Sequence, residues 1–485
     1  MPKLMRRSAA LMAALVLLCC LLPRASALEI PEPTLSPDAN PYSADHPELL
    51  QEEQLYAASA ILVEASTGLV IFEKNANEIM YPASTTKIMT CLLALMLSEP
   101  EQMCTVTAED ITFYEDGVTT ADLREGEEIS MRDLLYAALL KSANDAANVI
   151  ARTVSGSVSG FVDLMNEAAV SFGCTATHFT NPHGLHDDYH FTTARDMALI
   201  AREAMKNETF RDMVSAKSYT TSRTNLMRAR TFSSSNTLLY AQRGEKDNKY
   251  YYPDAIGIKT GTTSRAGYCF VGAAERDGIE LISVLFFTGE NARWADTIKL
   301  MDYGFSQYAS VTPIELYNMN PITVVTSGYS LNDTDMGRLQ LACVSANQND
   351  TTRIVTTKDQ IEMMAANLKD TMLITYTREL AAPIQAGEVM GTMTYFTATG
   401  EAVEYNLVAT RNVARRENAP KTLEEIVSET EADPNPFPPF TVEMALYIIL
   451  PIAGLILLVR ILSRLLRRRR IRNARMPKPK HRYLK

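Results

Sequence analysis

Ser84 and Lys87 stand three residues apart in Tyr81-Pro82-Ala83-Ser84-Thr85-Thr86-Lys87. If the serine opens a helix, the lysine lies one turn further along the same face, where an amine can take a hydroxyl proton. Alone, the pattern equally describes a capping serine and a solvated lysine. Two further polar signals follow on separate elements, Ser142-Ala143-Asn144 and Lys259-Thr260-Gly261. A serine hydroxyl is a poor nucleophile until its proton is removed, and a lysine removes it only as the neutral amine. Burial and a nearby positive charge both favour that neutral form, and Lys259 could supply the charge.

The elements that must position these groups can be read from spacing. Pro82 bars an upstream helix, and Ile88, Met89, Leu92, Leu93 and Met96 set a buried stripe for the helix after Ser84. Ala58–Val63 and Leu69–Glu73 flank Ala65-Ser66-Thr67-Gly68 and read as a hairpin. Met131–Leu140 has helical spacing, Lys141–Asn144 interrupts it, and Asp145 can cap its resumption to Val154. Helices are also expected at Phe161–Phe172, Thr193–Met205 and Asn291–Phe305. Ile256–Gly261 enters a strand, and Tyr268–Ala274 and Ile279–Phe287 pair around Asp277-Gly278. Strands at both termini and a helical middle imply an antiparallel sheet with helices and an all-α subdomain, an α+β fold. Beyond residue 310, Ile322–Thr326, Ile354–Thr356, Met372–Tyr376 and Val403–Val408 suggest a small all-β domain, with few helical patterns.

The two ends read as targeting and attachment. Lys3, Arg6 and Arg7 precede an apolar run to Leu22, and Ala25-Ser26-Ala27 supplies a cleavage site, so 1–27 is expected to be a signal peptide. Residues 28–56 read as a spacer, 57–309 as the catalytic domain, 310–414 as the β-rich domain and 415–440 as a stalk. A transmembrane helix is expected over 441–462, since about 20 mostly apolar residues span a bilayer, with 463–485 as a basic cytoplasmic tail. That gives a single-pass protein of the cell membrane whose body lies outside the cytoplasm. Of the 47 Lys and Arg, 4 fall in residues 1–27 and 12 in 460–485, and none of the 57 acids does, so the part between carries −26. Such an acidic body excludes nucleic acid as the natural partner.

Cys91, Cys104, Cys174, Cys269 and Cys343 remain after residue 27, irregularly spaced and odd in number, and read as buried free thiols. His178, His183, His186 and His190 crowd one segment, but Pro182 and Gly184 break it and no H-E-x-x-H pattern orders them. No metal and no cofactor is expected.

The three polar signals, in this order, resemble the serine–lysine, serine–asparagine and lysine–threonine–glycine set of penicillin-binding proteins and class A β-lactamases, with Ala143 where an aspartate is described. Tyr81-Pro82-Ala83, Asn181-Pro182-His183-Gly184-Leu185, His190–Asp196 and Gly257-Ile258 are similar to the D-alanyl-D-alanine carboxypeptidases. The resemblance covers Ala58–Tyr308 and implies a serine β-lactamase/transpeptidase-like catalytic domain that removes the terminal D-alanine from peptidoglycan stem pentapeptides. It implies Ser84 as nucleophile, Lys87 as base and Ser142 as proton relay to the leaving amine. Asn144 would bind the substrate backbone amide, Lys259 and Thr260 its carboxylate, and Gly261 would bring the strand close to the substrate. The N–H groups of Ser84 and Thr262 would form an oxyanion hole, worth about 3 kcal/mol per donor, and Arg293 would support carboxylate recognition. β-Lactams would acylate the same serine.

Three other readings use the same residues. A class A β-lactamase would need an E-x-x-L-N loop, and none lies between Asn144 and Lys259. A D,D-endopeptidase or transpeptidase would act on cross-linked peptides. A non-catalytic penicillin-binding sensor need not retain all three signals, and the short C-terminal tail carries no signalling domain.

Overall fold

The computed structural model describes residues 42–113, 118–243, 246–397, 400–417, 423, 426–427 and 442–473. The expected signal peptide lies outside these residues, as do the spacer before 42, most of the stalk and the tail after 473. Contacts divide the chain into two compact units. One is Met1–Asn320 with Ser345–Leu373 and Thr394–Glu404; the other is Pro321–Val344, Ile374–Met393 and Tyr405–Lys485. This division differs from a single cut at residue 310.

The first unit is built on an antiparallel five-stranded sheet of β1 (Ser59–Glu64), β2 (Val70–Lys74), β3 (Ala255–Thr263), β4 (Gly267–Arg276) and β5 (Ile279–Thr288). Their order is β2-β1-β5-β4-β3, so strands from both ends of the segment meet in one sheet. Alternation splits its side chains between two cores. Ile61, Val63, Val271, Ile282 and Val284 face one, and Ala60, Leu62, Phe270, Leu281 and Leu285 face the other. Both faces are covered, which is why β1 is buried at every position. Asp277 and Gly278 turn β4 into β5 with φ of 51° and 74°, the left-handed pair a two-residue hairpin demands.

The first core holds α1 (Lys87–Leu97), α2 (Met131–Tyr136), α3 (Asn144–Ser155), α4 (Val158–Ser171), α5 (Ala194–Met205) and α6 (Glu208–Ser215). The second is closed by α7 (Ala292–Gln307), which approaches the sheet at Gly304; a Cβ there would lie 2.5 Å from Leu281. Residues 47–57 are not an extended spacer. They form two short 3-10 turns, and Leu50, Leu55 and Ala57 enter this second core. Asp296 fixes them by accepting the Ala57 N–H at 2.9 Å, and Lys299 donates to the Gln54 carbonyl at 2.6 Å.

Helix α1 is buried at every residue from Lys87 to Ala94, not along a stripe, and Met96 is exposed because the last turn emerges from the core. Short helices also occur where few were expected, at Pro313–Met319, Lys358–Ala366 and Leu368–Thr371. One to two turns give too few repeats for apolar periodicity to register. Another five-stranded sheet is ordered Thr323–Val325, Arg338–Ser345, Ala402–Ala409, Val389–Phe396 and Leu373–Tyr376. Leu339, Leu341, Met390, Met393, Tyr405 and Leu407 are its buried side chains. Val442–Asn473 is one helix containing Pro451. Among the described residues no helix is long and apolar enough to cross a membrane, so the span expected over 441–462 is not shown.

Candidate active site

The expected helix opening at Ser84 takes another form. Ala83–Thr86 is a 3-10 turn, α1 begins only at Lys87, and Thr86 occupies the cap position with no side-chain cap. Ser84 is therefore not a capping serine; its hydroxyl donates only a long bond, 3.4 Å, to the His183 carbonyl. Lys87 Nζ lies 2.9 Å from Ser84 Oγ, 2.6 Å from Asn144 Oδ1 and 2.7 Å from the His183 carbonyl oxygen. Lys87 is 0% exposed and Lys259 1%. Burial holds the Lys87 amine well below its ordinary range, and the charge of Lys259 pushes the same way, as the sequence suggested. Neutral Lys87 has two N–H bonds and one lone pair. Asn144 and His183 can accept the two N–H bonds, which leaves the lone pair for the Ser84 hydroxyl proton.

Ser142 and Asn144 sit at a helix break. Ala137–Lys141 is a π-turn, Ser142 turns left-handed at φ 62°, and α3 starts at Asn144. Ser142 makes no side-chain hydrogen bond among the described residues, to Ser84 and Lys87 included. Asn144 accepts the Lys87 amine on its side-chain oxygen, a bond the sequence did not suggest. Asp145 is not the cap of α3. It lies inside the first turn, and its buried carboxylate accepts the N–H groups of Ala121, Leu123 and Ala146. Together with the Asn144 N–H to Thr119 carbonyl bond, this pins the 119–123 segment beside the second motif.

Lys259, Thr260, Gly261 and Thr262 lie on β3, the edge strand of the sheet. Burial lowers Lys259 to about 7, with Arg293 adding repulsion. Its Nζ donates to the Thr260 carbonyl at 2.8 Å, and the Thr260 hydroxyl lies 2.7 Å from Ser235 Oγ. A Cβ on Gly261 would lie 3.0 Å from the Pro82 carbonyl and 3.1 Å from the Ser84 and Thr85 nitrogens. The missing side chain lets β3 rest on the turn that carries Ser84. Thr262 is exposed, and its hydroxyl donates to the Gly261 carbonyl. Arg293, on α7, stacks its guanidinium over Tyr268 and Trp294 at 4.9 and 4.4 Å.

Sequence reasoning singled out the 181–185 and 190–196 segments but gave them no part in closing the site. Besides the His183 carbonyl on Lys87, Thr90 Oγ1 donates to the Pro182 carbonyl at 2.6 Å. Asn181 Oδ1 accepts the Gly184 N–H at 2.6 Å. Gly184 has φ 84°, and a Cβ would fall 1.9 Å from the Ala83 carbonyl oxygen, so only glycine fits. His190 completes the closure. Its Nδ1 accepts the Thr180 N–H at 3.0 Å, so the neutral ring carries its proton on Nε2, 2.8 Å from Thr86 Oγ1. Thr86 then donates to the Ala83 carbonyl at 2.8 Å. Burial pushes His190 down to about 3, which keeps that tautomer neutral. Among the described residues no group of histidine, cysteine or carboxylate side chains could hold a metal. The five cysteines are free and buried.

A family model described as D-alanyl-D-alanine carboxypeptidase matches residues 46–289. D-alanyl-D-alanine carboxypeptidase DacF of Bacillus subtilis (strain 168) is 34% identical over 257 residues, covering 52% of this chain and 63% of that protein. The match thus spans less than two thirds of the Bacillus relative. The D-alanyl-D-alanine carboxypeptidase of Streptomyces sp. (strain K15) is 35% identical over 266 residues, 52% of this chain and 87% of that protein. DacC of Escherichia coli (strain K12) is 29% identical over 370 residues, 74% and 84%. The chain belongs to the D-alanyl-D-alanine carboxypeptidase family.

Proposed function

We propose that this protein is a serine-type D-alanyl-D-alanine carboxypeptidase of cell-wall metabolism, acting through a Ser84 acyl-enzyme. The observation that carries the reading is the buried Lys87 amine, held 2.9 Å from Ser84 Oγ with acceptors for both of its N–H bonds. Lys87 takes the hydroxyl proton as Ser84 attacks the peptide carbonyl between two D-alanines. Lys259 and Thr260 receive the terminal carboxylate, and Arg293 reinforces the positive field at that end. The Ser84 and Thr262 N–H groups receive the developing oxyanion, each worth about 3 kcal/mol. Ser142 passes a proton to the leaving D-alanine. Asn144 positions Lys87 through its oxygen and turns its amide nitrogen to the substrate. Water then hydrolyses the acyl-enzyme.

β-Lactams acylate the same serine in this reading, and peptidoglycan stem peptide is the natural substrate. Attachment to the cell membrane through the C-terminal helix, after export directed by residues 1–27, completes the proposal. What supports attachment is the apolar run from Ala445 to Val459, the exposed Leu450, Leu455, Leu457 and Val459, and the arginines that follow. Release of D-alanine from a D-Ala-D-Ala-terminated pentapeptide tests the activity; penicillin binding without release would assign a sensor instead. Recovery in the membrane fraction, lost when 441–485 is deleted, tests the attachment.

A further inference from the structure

Behind the turn of the β4–β5 hairpin lies an open cavity of about 470 Å3, within the range of small-molecule sites. Every residue lining it belongs to the first unit, and none is a residue of the proposed active site. On β4, Glu275 stands four residues beyond Val271, the partner of Lys259, which puts the cavity about 13 Å along the strand from the lysine.

Two guanidiniums in its wall are held in fixed positions with no ion pair to a carboxylate among the described residues. Arg202, on α5, donates to the Ala65 and Ser66 carbonyls and lies against Gly68, where a Cβ would be 2.3 Å from it. Arg353 donates to the Ser310 hydroxyl and carbonyl and lies against Gly278, with 2.5 Å to a Cβ there. Each keeps N–H groups beyond those bonds, because a guanidinium carries five. The acids in the wall are otherwise engaged. Glu64 accepts five hydrogen bonds from Ser66 and Thr67, and Glu275 pairs with Arg211. Glu280 is the exception. Its Oε2 takes Arg211, while its Oε1 is buried with no hydrogen-bond partner among the described residues.

A buried carboxylate oxygen without a donor is costly, and so is an array of pinned cations without an anion. We propose that this cavity is a second binding site, for the zwitterionic head of an α-amino acid or of a peptide end that carries one. The ligand's carboxylate sits on Arg202 and Arg353, in the fork geometry guanidiniums favour, and its ammonium pairs with the Glu280 carboxylate that lines the cavity. An inorganic anion meets only half of this arrangement and leaves the Glu280 oxygen unpaired.

Calorimetric titration of the full-length protein tests the proposal with glycine, D-alanine and L-lysine as zwitterions. N-acetyl-D-alanine lacks the ammonium, and D-alaninamide lacks the carboxylate. At least one zwitterion should bind saturably, and each single-charge analogue of D-alanine should bind at least tenfold more weakly than D-alanine. Arg353→Gln and Glu280→Gln should weaken binding at least tenfold and leave D-alanine release from a pentapeptide unchanged. Lys259→Gln should leave the titration unchanged. No saturable binding of any zwitterion would overturn the site, as would equal binding of the analogues. Binding lost in Lys259→Gln but kept in Arg353→Gln would overturn it too, by assigning the amino acid to the carboxylate end of the active site. The titration does not use turnover, so failure of the carboxypeptidase reading and failure of this site are separate results.

Discussion

Lys87 Nζ and Ser84 Oγ are 2.9 Å apart at the junction of a 3-10 turn and a helix buried all round. The junction decides what the pair can do. A capping serine would spend its hydroxyl on a backbone N–H, and a lysine on the outer face of a helix would stay protonated. Here the hydroxyl faces the amine, and burial favours the amine's neutral form. Lys87→Met keeps the length of the side chain and removes the base. It should lower the rate of Ser84 acylation by at least 10^2-fold, the usual contribution of a positioned base, while the thermal midpoint does not fall. Stopped-flow measurement with a chromogenic penicillin, beside a melting curve, checks both.

Lys259 has two opposed consequences with pH. Its folded value of about 7 lies below its ordinary value, so between about 7 and about 10.5 the unfolded chain binds more protons than the folded one. The stability lost to its burial is therefore full below pH 7 and recovers as pH rises to about 10.5. Lys259→Met should raise the melting temperature by at least about 3 °C at pH 6, with the gain shrinking toward pH 10. Recognition of a carboxylate needs the charged form, so wild-type kcat/KM for a free-carboxylate peptide should fall above about pH 7. Melting curves across pH and a pH–rate profile test the two signs separately.

Gly261→Ala places a methyl group 3.0 Å from the Pro82 carbonyl and 3.1 Å from the Ser84 nitrogen. Either β3 or the Ser84 turn must move by a few tenths of an ångström. The expected cost is about 1–3 kcal/mol of stability, with a loss in kcat exceeding any rise in KM, since the Ser84 N–H, a proposed oxyanion donor, lies at the contact. Denaturant titration and steady-state kinetics resolve the two effects.

His190 joins Thr180 to Thr86 with one acceptor and one donor on a flat ring. Glutamine offers the same pair of groups and leucine neither. His190→Leu should destabilise the protein by about 1–3 kcal/mol and slow acylation about tenfold as the Ala83 turn loosens, whereas His190→Gln should restore most of both. Equal acylation rates in the two variants would limit the ring to a structural part.

The residues that carry chemistry by type were legible: a serine, two lysines and an asparagine in three short signals, and the Asp277-Gly278 hairpin that sets the sheet. What escaped was carried by backbone or by absence. The His183 carbonyl that orients Lys87 has no residue-type signature, since any residue presents a carbonyl there. Gly184 and Gly261 matter for the atoms their side chains would strike, and those belong to segments about a hundred or more residues away in sequence. Asn144 was singled out by type, but its bond to Lys87 was not foreseen, because residue type does not say which polar neighbour comes nearer. Leu50 and Leu55 lie in a Pro- and Glu-rich stretch without periodicity, so their burial against α7 could be learned only from the fold.

The central claim is that Ser84 becomes acylated and turns over. Intact-mass spectrometry of the wild-type protein after incubation with penicillin, followed by peptide mapping, measures this most directly when D-alanine release from a pentapeptide is followed alongside. One penicilloyl adduct on the peptide containing Ser84, with D-alanine released by the wild type and neither event in Ser84→Ala, is the predicted result. An adduct on another residue, or D-alanine release that survives Ser84→Ala, would contradict it.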